Sequence, residues 1–140
     1  GAMNYIAVAE TSYAQQHYPD GMTAYNFRNT PFVAFNRKDD MQCEFVSKAF
    51  GLKRVALNQI FVPSSEGQVR AALAGWGVSV VPEQLAREHI AQGRLVNIAP
   101  KHVLPIGLYW HCWNLTSDVL DALSSALLAA ADKSLSRHLD

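Results

Sequence analysis

Two rhythms of apolar and polar residues alternate along this chain. Short apolar runs bounded by turn residues predict strands at 4–9, 32–35, 57–62, 78–81, 95–98 and 106–113. Between them, apolar positions three and four apart predict helices. One starts at Glu10, Thr11 and Ser12 and reaches about His17, with a short helical piece near 24–28 after the turn at 18–21. Another covers roughly 39–50, with Met41, Phe45, Val46 and Phe50 as its apolar face and Gly51 as its stop. A helix at 82–91 ends before Gly93, and the last one runs from Thr116 or Ser117 to about Ala131. Val119, Leu120, Leu123, Leu127 and Leu128 line one side of that last helix. Burying such residues is worth roughly 1.5–3 kcal/mol each, so the helix is expected to dock on an apolar partner. The polar end at 132–140 is expected to fray.

The stretch 61–83, FVPSSEGQVRAALAGWGVSVVPE, carries the most information. Ser64 or Ser65 can cap a helix whose apolar positions Val69, Leu73 and Trp76 recur at helical spacing, with Glu66 where the dipole favours negative charge. Gly75 and Gly77 suit a left-handed cap and a sharp reversal into Val78, Val80 and Val81, a strand buried on both faces. Pro82 stops that strand and opens the next helix. Strand, helix and strand in this order make a βαβ unit, and open α/β sheets bind ligands outside the carboxyl ends of their strands. Pro63, Ser64, Ser65 and Glu66 are thereby placed at the expected binding edge. The plainer reading of the serines is helix capping alone.

Composition narrows the function classes. The 140 residues suit one modest domain, or one domain with part of another, and 49% of them are hydrophobic, enough for a core. Twelve basic residues balance twelve acidic ones with no Lys/Arg stripe, which argues against a grip on nucleic acid by this stretch. Cys43 and Cys112 fit neither a zinc spacing nor a disulfide framework, so a reducing cytoplasm is expected. No apolar run spans a bilayer and no signal peptide is visible. Residues 1–3 read as a cleavage scar, so the native segment is expected to open on a strand as part of a longer protein. A phosphate-cradling glycine loop, a nucleophile elbow and a metal-ligand cluster are all missing, so neither an enzyme nor a cofactor is expected.

The capped helix, the turn and strand AALAGWGVSVVPE, the amphipathic helix and GRLVNI together resemble the effector-binding domain of LysR-type transcriptional regulators. The resemblance covers nearly all of the chain after residue 3. FNRKDDMQ at 35–42, VPSSEGQVRAAL at 62–73 and LYWHCW at 108–113 look like the ArgP branch, which responds to lysine or arginine. The resemblance implies an α/β, periplasmic-binding-protein-like (type 2) sensor of two lobes with a small effector between them. Residues 4–100 would be the complete second lobe, and 101–140 the return strand and C-terminal helix of the first. DNA would be met only through an N-terminal helix-turn-helix outside this stretch, and no membrane would be involved. With most of the first lobe absent, self-association through the 106–113 strand and the last helix is expected.

A free amino acid needs acceptors for its ammonium, donors for its carboxylate and a partner for a charged side chain. Asp39 and Asp40 offer acceptors, while Asn36, Arg37 and the capped helix start at Ser64 and Ser65 suit a carboxylate, with Glu66 beside them at the binding edge. Helix capping is the competing role for the two aspartates, and plain surface exposure for Arg37 and Lys38. Trp110 alternates with Tyr109 and His111, so one face of that strand is expected to be buried, in the core or along the cleft. His111 and Cys112 would then point to opposite faces, against a shared metal or catalytic pair, and Cys43 is expected to be inert. A transport solute-binding protein has the same two-lobe architecture and is the alternative.

Overall fold

The computed structural model describes residues 1–137. In chain order its elements are β1 (Ala2–Glu10), α1 (Thr11–His17), a 3-10 turn (Asn26–Asn29), β2 (Phe32–Ala34), α2 (Met41–Phe50), β3 (Gln59–Phe61), α3 (Ser65–Leu73), β4 (Val78–Pro82), α4 (Glu83–Ala91), β5 (Leu95–Asn97), β6 (Leu104–Gly107) and α5 (Asp118–Ser134). The chain divides into two compact units: Tyr5–Leu104, and Gly1–Asn4 with Pro105–Asp140.

The larger unit is a mixed sheet with helices packed against it. Its strands run in the order β3-β2-β4-β1-β5. β2 is parallel to both β3 and β4, whereas β1 is antiparallel to β4, with Tyr5 opposite Pro82, and to β5, with Val8 opposite Asn97. The βαβ unit read from 61–83 is present as β3-α3-β4, with β2 inserted between its two strands. All five residues of β4 are buried, as its β-branched run requires of a central strand. Alternation along the strands separates two sets of side chains. Ile6, Val8 and Val81 join Val69 and Ala72 of α3, Ala86 of α4 and Leu95 in one core cluster. Phe45 and Val46 are buried on α2, which packs against β2 and β4.

The helix ends follow local rules. Glu10 caps α1 by accepting the Tyr13 amide at 2.8 Å, and Gly51 ends α2 in the left-handed conformation at φ 65°. Trp76 departs from expectation: α3 ends at Leu73, so the indole lies past the helix and is 54% exposed. Gly75, at φ 75°, has already reversed the chain before it.

In the smaller unit the expected strand at 106–113 is not formed beyond Gly107. Tyr109, Trp110 and Trp113 are all exposed, so the expected buried face does not exist. The argument that His111 and Cys112 point apart along a strand loses its basis, and both side chains are exposed. An apolar run forms a strand only where a neighbour supplies the other half of the ladder. Ser117 caps α5 by accepting the Leu120 amide at 3.3 Å, and α5 runs on to Ser134. None of its side chains is buried, and Val119, Leu123, Leu127 and Leu128 are exposed, so the docking expected of this helix is not made within the described residues. Ser136 exchanges backbone hydrogen bonds with Ala2, both at 2.9 Å.

Candidate functional site

Two corners of the larger unit open onto one cavity of about 380 Å³. The first follows β2. Its loop folds around Asp39, whose carboxylate accepts the Phe35 amide at 2.8 Å, the Met41 amide at 3.1 Å and the Gln42 side-chain amide at 3.0 Å. Asn36 supports the same loop by accepting the Lys38 amide on its side chain at 2.8 Å and the Asp39 amide on its carbonyl at 3.1 Å. Because the Asp39 side chain takes the first amide of α2, that helix begins at Met41 rather than at the expected 39.

The second corner follows β3 and is tied to the first by the Val62 amide, which donates to the Ala34 carbonyl at 2.8 Å. Ser64 caps α3, its hydroxyl accepting the Gly67 amide at 3.1 Å. Buried Gln68 donates to the Val62 carbonyl at 3.3 Å, and the buried Ser79 hydroxyl donates to the Gln68 carbonyl at 2.8 Å. The amino end of α3 is therefore anchored to β4, with Ser65 in its first turn.

The cavity is lined by Tyr5, Phe35, Asn36, Lys38, Asp39, Met41, Gln42, Ser65, Gln68 and Val80. Of the residues singled out from sequence, Asn36, Asp39 and Ser65 thus line one cavity. Arg37 is exposed, and Ser64 is occupied as a cap; neither is among the lining residues. Asp40 lines a separate hollow with Cys43, Glu44, Ser47, Lys53 and Val55. Glu66 lines another, formed by α3 and α4 with Val69, Arg70, Leu73, Leu85 and His89. Trp110 belongs to the smaller unit, where its indole N–H donates to the Ser124 hydroxyl at 2.9 Å.

Sequence reading missed Tyr5, Gln42 and Gln68. Gln42 had a legible signal: it is a polar residue beside Met41 on a helix whose next apolar positions are Phe45 and Val46, and it follows Asp39 by three. Tyr5 had none, because only the pairing of β1 with β4 brings it to this cavity.

The first corner carries both signs of charge, with Lys38 and Asp39 lining the same cavity. Among the described residues the ion pair present is Glu44–Lys48 on the surface of α2, so no cation is paired with Asp39. Burial, and then the negative charge of Asp39, push the Tyr5 phenol above its ordinary value. Burial, Asp40 and Asp39 in that order push the Cys43 thiol up as well. The first corner thus presents a fixed carboxylate, and the second the first turn of a helix with its positive dipole end. Such a cavity can hold a small zwitterion carrying an additional positive charge. Among the described residues no group of His, Cys, Asp and Glu side chains could hold a metal ion, and no helix is long and apolar enough to cross a membrane.

Comparison with known proteins agrees with this architecture. Over 131 residues the chain is 38% identical to the HTH-type transcriptional regulator LysG of Mycobacterium tuberculosis, covering 94% of this chain and 43% of that one. The crystal structure of ArgP from Mycobacterium tuberculosis superposes with a TM-score of 0.85 at 38% identity, over 94% of this chain and 44% of that one. Full-length LysG from Corynebacterium glutamicum with bound effector Arg superposes with a TM-score of 0.81 at 26% identity, over 95% of this chain and 45% of that one. The chain thus spans less than half the length of the curated relatives it matches. The fold is the periplasmic-binding-protein-like type of the LysR effector domains. The family model of the LysR substrate binding domain matches residues 3–132, and with the mixed sheet and the cavity at its strand-to-helix corners in place the chain belongs to that family.

Proposed function

We propose that this chain is the effector-sensing part of a LysR-type transcriptional regulator of the LysG/ArgP kind, and that its ligand is a basic amino acid, arginine or lysine. The observation that carries this reading is the pairing, in one cavity, of the hydrogen-bonded Asp39 carboxylate with the amino end of α3 at Ser65. The α3 amino end receives the amino acid's carboxylate, and Asp39 attracts a positive group. Three hydrogen bonds already hold Asp39 in place, so its charge is oriented before a ligand arrives. The bound arginine in the Corynebacterium glutamicum relative supports the same ligand class.

In this reading residues 4–100 form the second lobe and 101–140 return to the first. The protein acts in the cytoplasm by binding rather than by chemistry, and DNA is contacted through a helix-turn-helix outside this stretch. The relatives are regulators, which favours sensing over solute transport. The uncovered apolar side of α5 supports self-association. Ligand binding regulates only if two states of the protein differ in affinity for it. Isothermal calorimetry of the intact protein with arginine, lysine, glutamate and leucine tests the assignment. Saturable binding of arginine or lysine alone is expected, and binding of neither overturns it.

A further inference from the structure

The side chain of Gln42 is fully buried, yet only one end of its amide is satisfied. Its Nε2 donates to Oδ2 of Asp39 at 3.0 Å. A carboxylate can only accept, so this bond forces the nitrogen toward Asp39 and the oxygen away from it. That oxygen, Oε1, has no hydrogen-bond partner among the described residues and is out of reach of solvent. Gln42 lines the cavity beside Asp39. An unpaired buried acceptor is rare, and the group that relieves it must be a donor.

Resting on the ligand class proposed above, we propose that Gln42 determines specificity in this cavity by accepting, through Oε1, a hydrogen bond from the cationic end of the ligand's side chain. The shared Nε2–Oδ2 bond fixes two acceptors relative to each other, one charged and one neutral. A guanidinium or ammonium group carries several donors and can serve both. A side chain ending in a methyl group serves neither and leaves Oε1 unpaired. Rejection of apolar amino acids then comes from the acceptor as well as from the charge, since sites with unmet buried polar groups discriminate strongly against ligands that lack the matching group. Because Oε1 is covered, the donor reaches it by a local shift of the cavity wall.

Calorimetry on the intact protein and on Gln42→Met and Gln42→Glu variants tests this, with arginine, lysine and norleucine as probes. Met keeps the length of the side chain and removes both amide ends; Glu keeps an acceptor oxygen. The expected result is a loss of about tenfold or more in arginine and lysine affinity for Gln42→Met, with norleucine unchanged or improved and cation preference retained in Gln42→Glu. Equal weakening of all three probes, or no weakening of any, overturns the role of Gln42. A crystal structure of the wild-type arginine complex gives an independent check, since Oε1 farther than about 3.5 Å from every ligand nitrogen also overturns it. Failure of the wild-type protein to bind either basic amino acid counts instead against the ligand class, and is distinguishable from both outcomes.

Discussion

A Cβ placed on Gly77 would lie 2.4 Å from the carbonyl oxygen of Pro31. The same oxygen accepts the Val78 amide at 3.0 Å, so the approach joins the start of β4 to the residue before β2. Gly77→Ala must therefore move one backbone against the other at the root of the parallel pair. A loss of about 2 kcal/mol or more is expected in urea denaturation, from overpacking with no flexible side chain to yield. Gly75→Ala, strained only by its φ of 75°, is expected to cost roughly 1–2 kcal/mol.

Asp39 and Asp40 are neighbours in sequence with different surroundings. Asp39 accepts three hydrogen bonds and lines the cavity, while Asp40 lines another hollow. Asp39→Asn is expected to lower arginine affinity by about tenfold or more and to cost roughly 1.5–3 kcal/mol of stability, since an amide nitrogen cannot accept and the charge is gone. Asp40→Asn is expected to leave affinity unchanged. Calorimetry with parallel chemical denaturation separates the two quantities.

Glu10 carries a pH dependence. The Ser12 and Tyr13 amides, donating to its carboxylate at the start of α1, hold it below its ordinary 4.5. A carboxylate depressed on folding contributes stability above its unfolded value and loses it as pH falls through the folded one. Stability of the wild-type protein should therefore decline below about pH 4.5 more steeply than that of Glu10→Gln, which lacks this proton. Thermal melts from neutral to acidic pH read the difference, and parallel acid limbs would count against it.

The two cysteines should react at different rates. Cys43 is half-buried on α2 and its thiol is pushed up by burial and by the charges of Asp40 and Asp39, so little thiolate forms at neutral pH. Cys112 is exposed. Iodoacetamide followed by peptide mass spectrometry is expected to label Cys112 first, and faster labelling of Cys43 would contradict this account.

Much of the larger unit was legible because its signals are local. Ser64 caps α3, while Gly51, Gly75 and Gly93 take positive φ at helix ends, each dictated by a residue type within a turn of its position. Val78 to Val81 announced a buried strand by composition alone. The cavity was partly legible, since strand-to-helix corners pointed to Asn36, Asp39 and Ser65, but the separation of Asp39 from Asp40 rests on loop hydrogen bonds that spacing does not encode.

The amino-acid sequence alone determined the order of strands and helices through residue 98, the chemistry of their caps and the two corners where a ligand could settle. Tertiary structure decided that β2 inserts between β3 and β4, that Tyr5 arrives beside Asp39, and that the Gln42 amide is oriented with one end unpaired. It also decided that the aromatic run after Gly107 stays out of the sheet. The physical reason is common to all four: helix caps and turns are satisfied by groups a few residues away, whereas strand pairing and buried polar partners depend on distant segments that only the folded chain brings together.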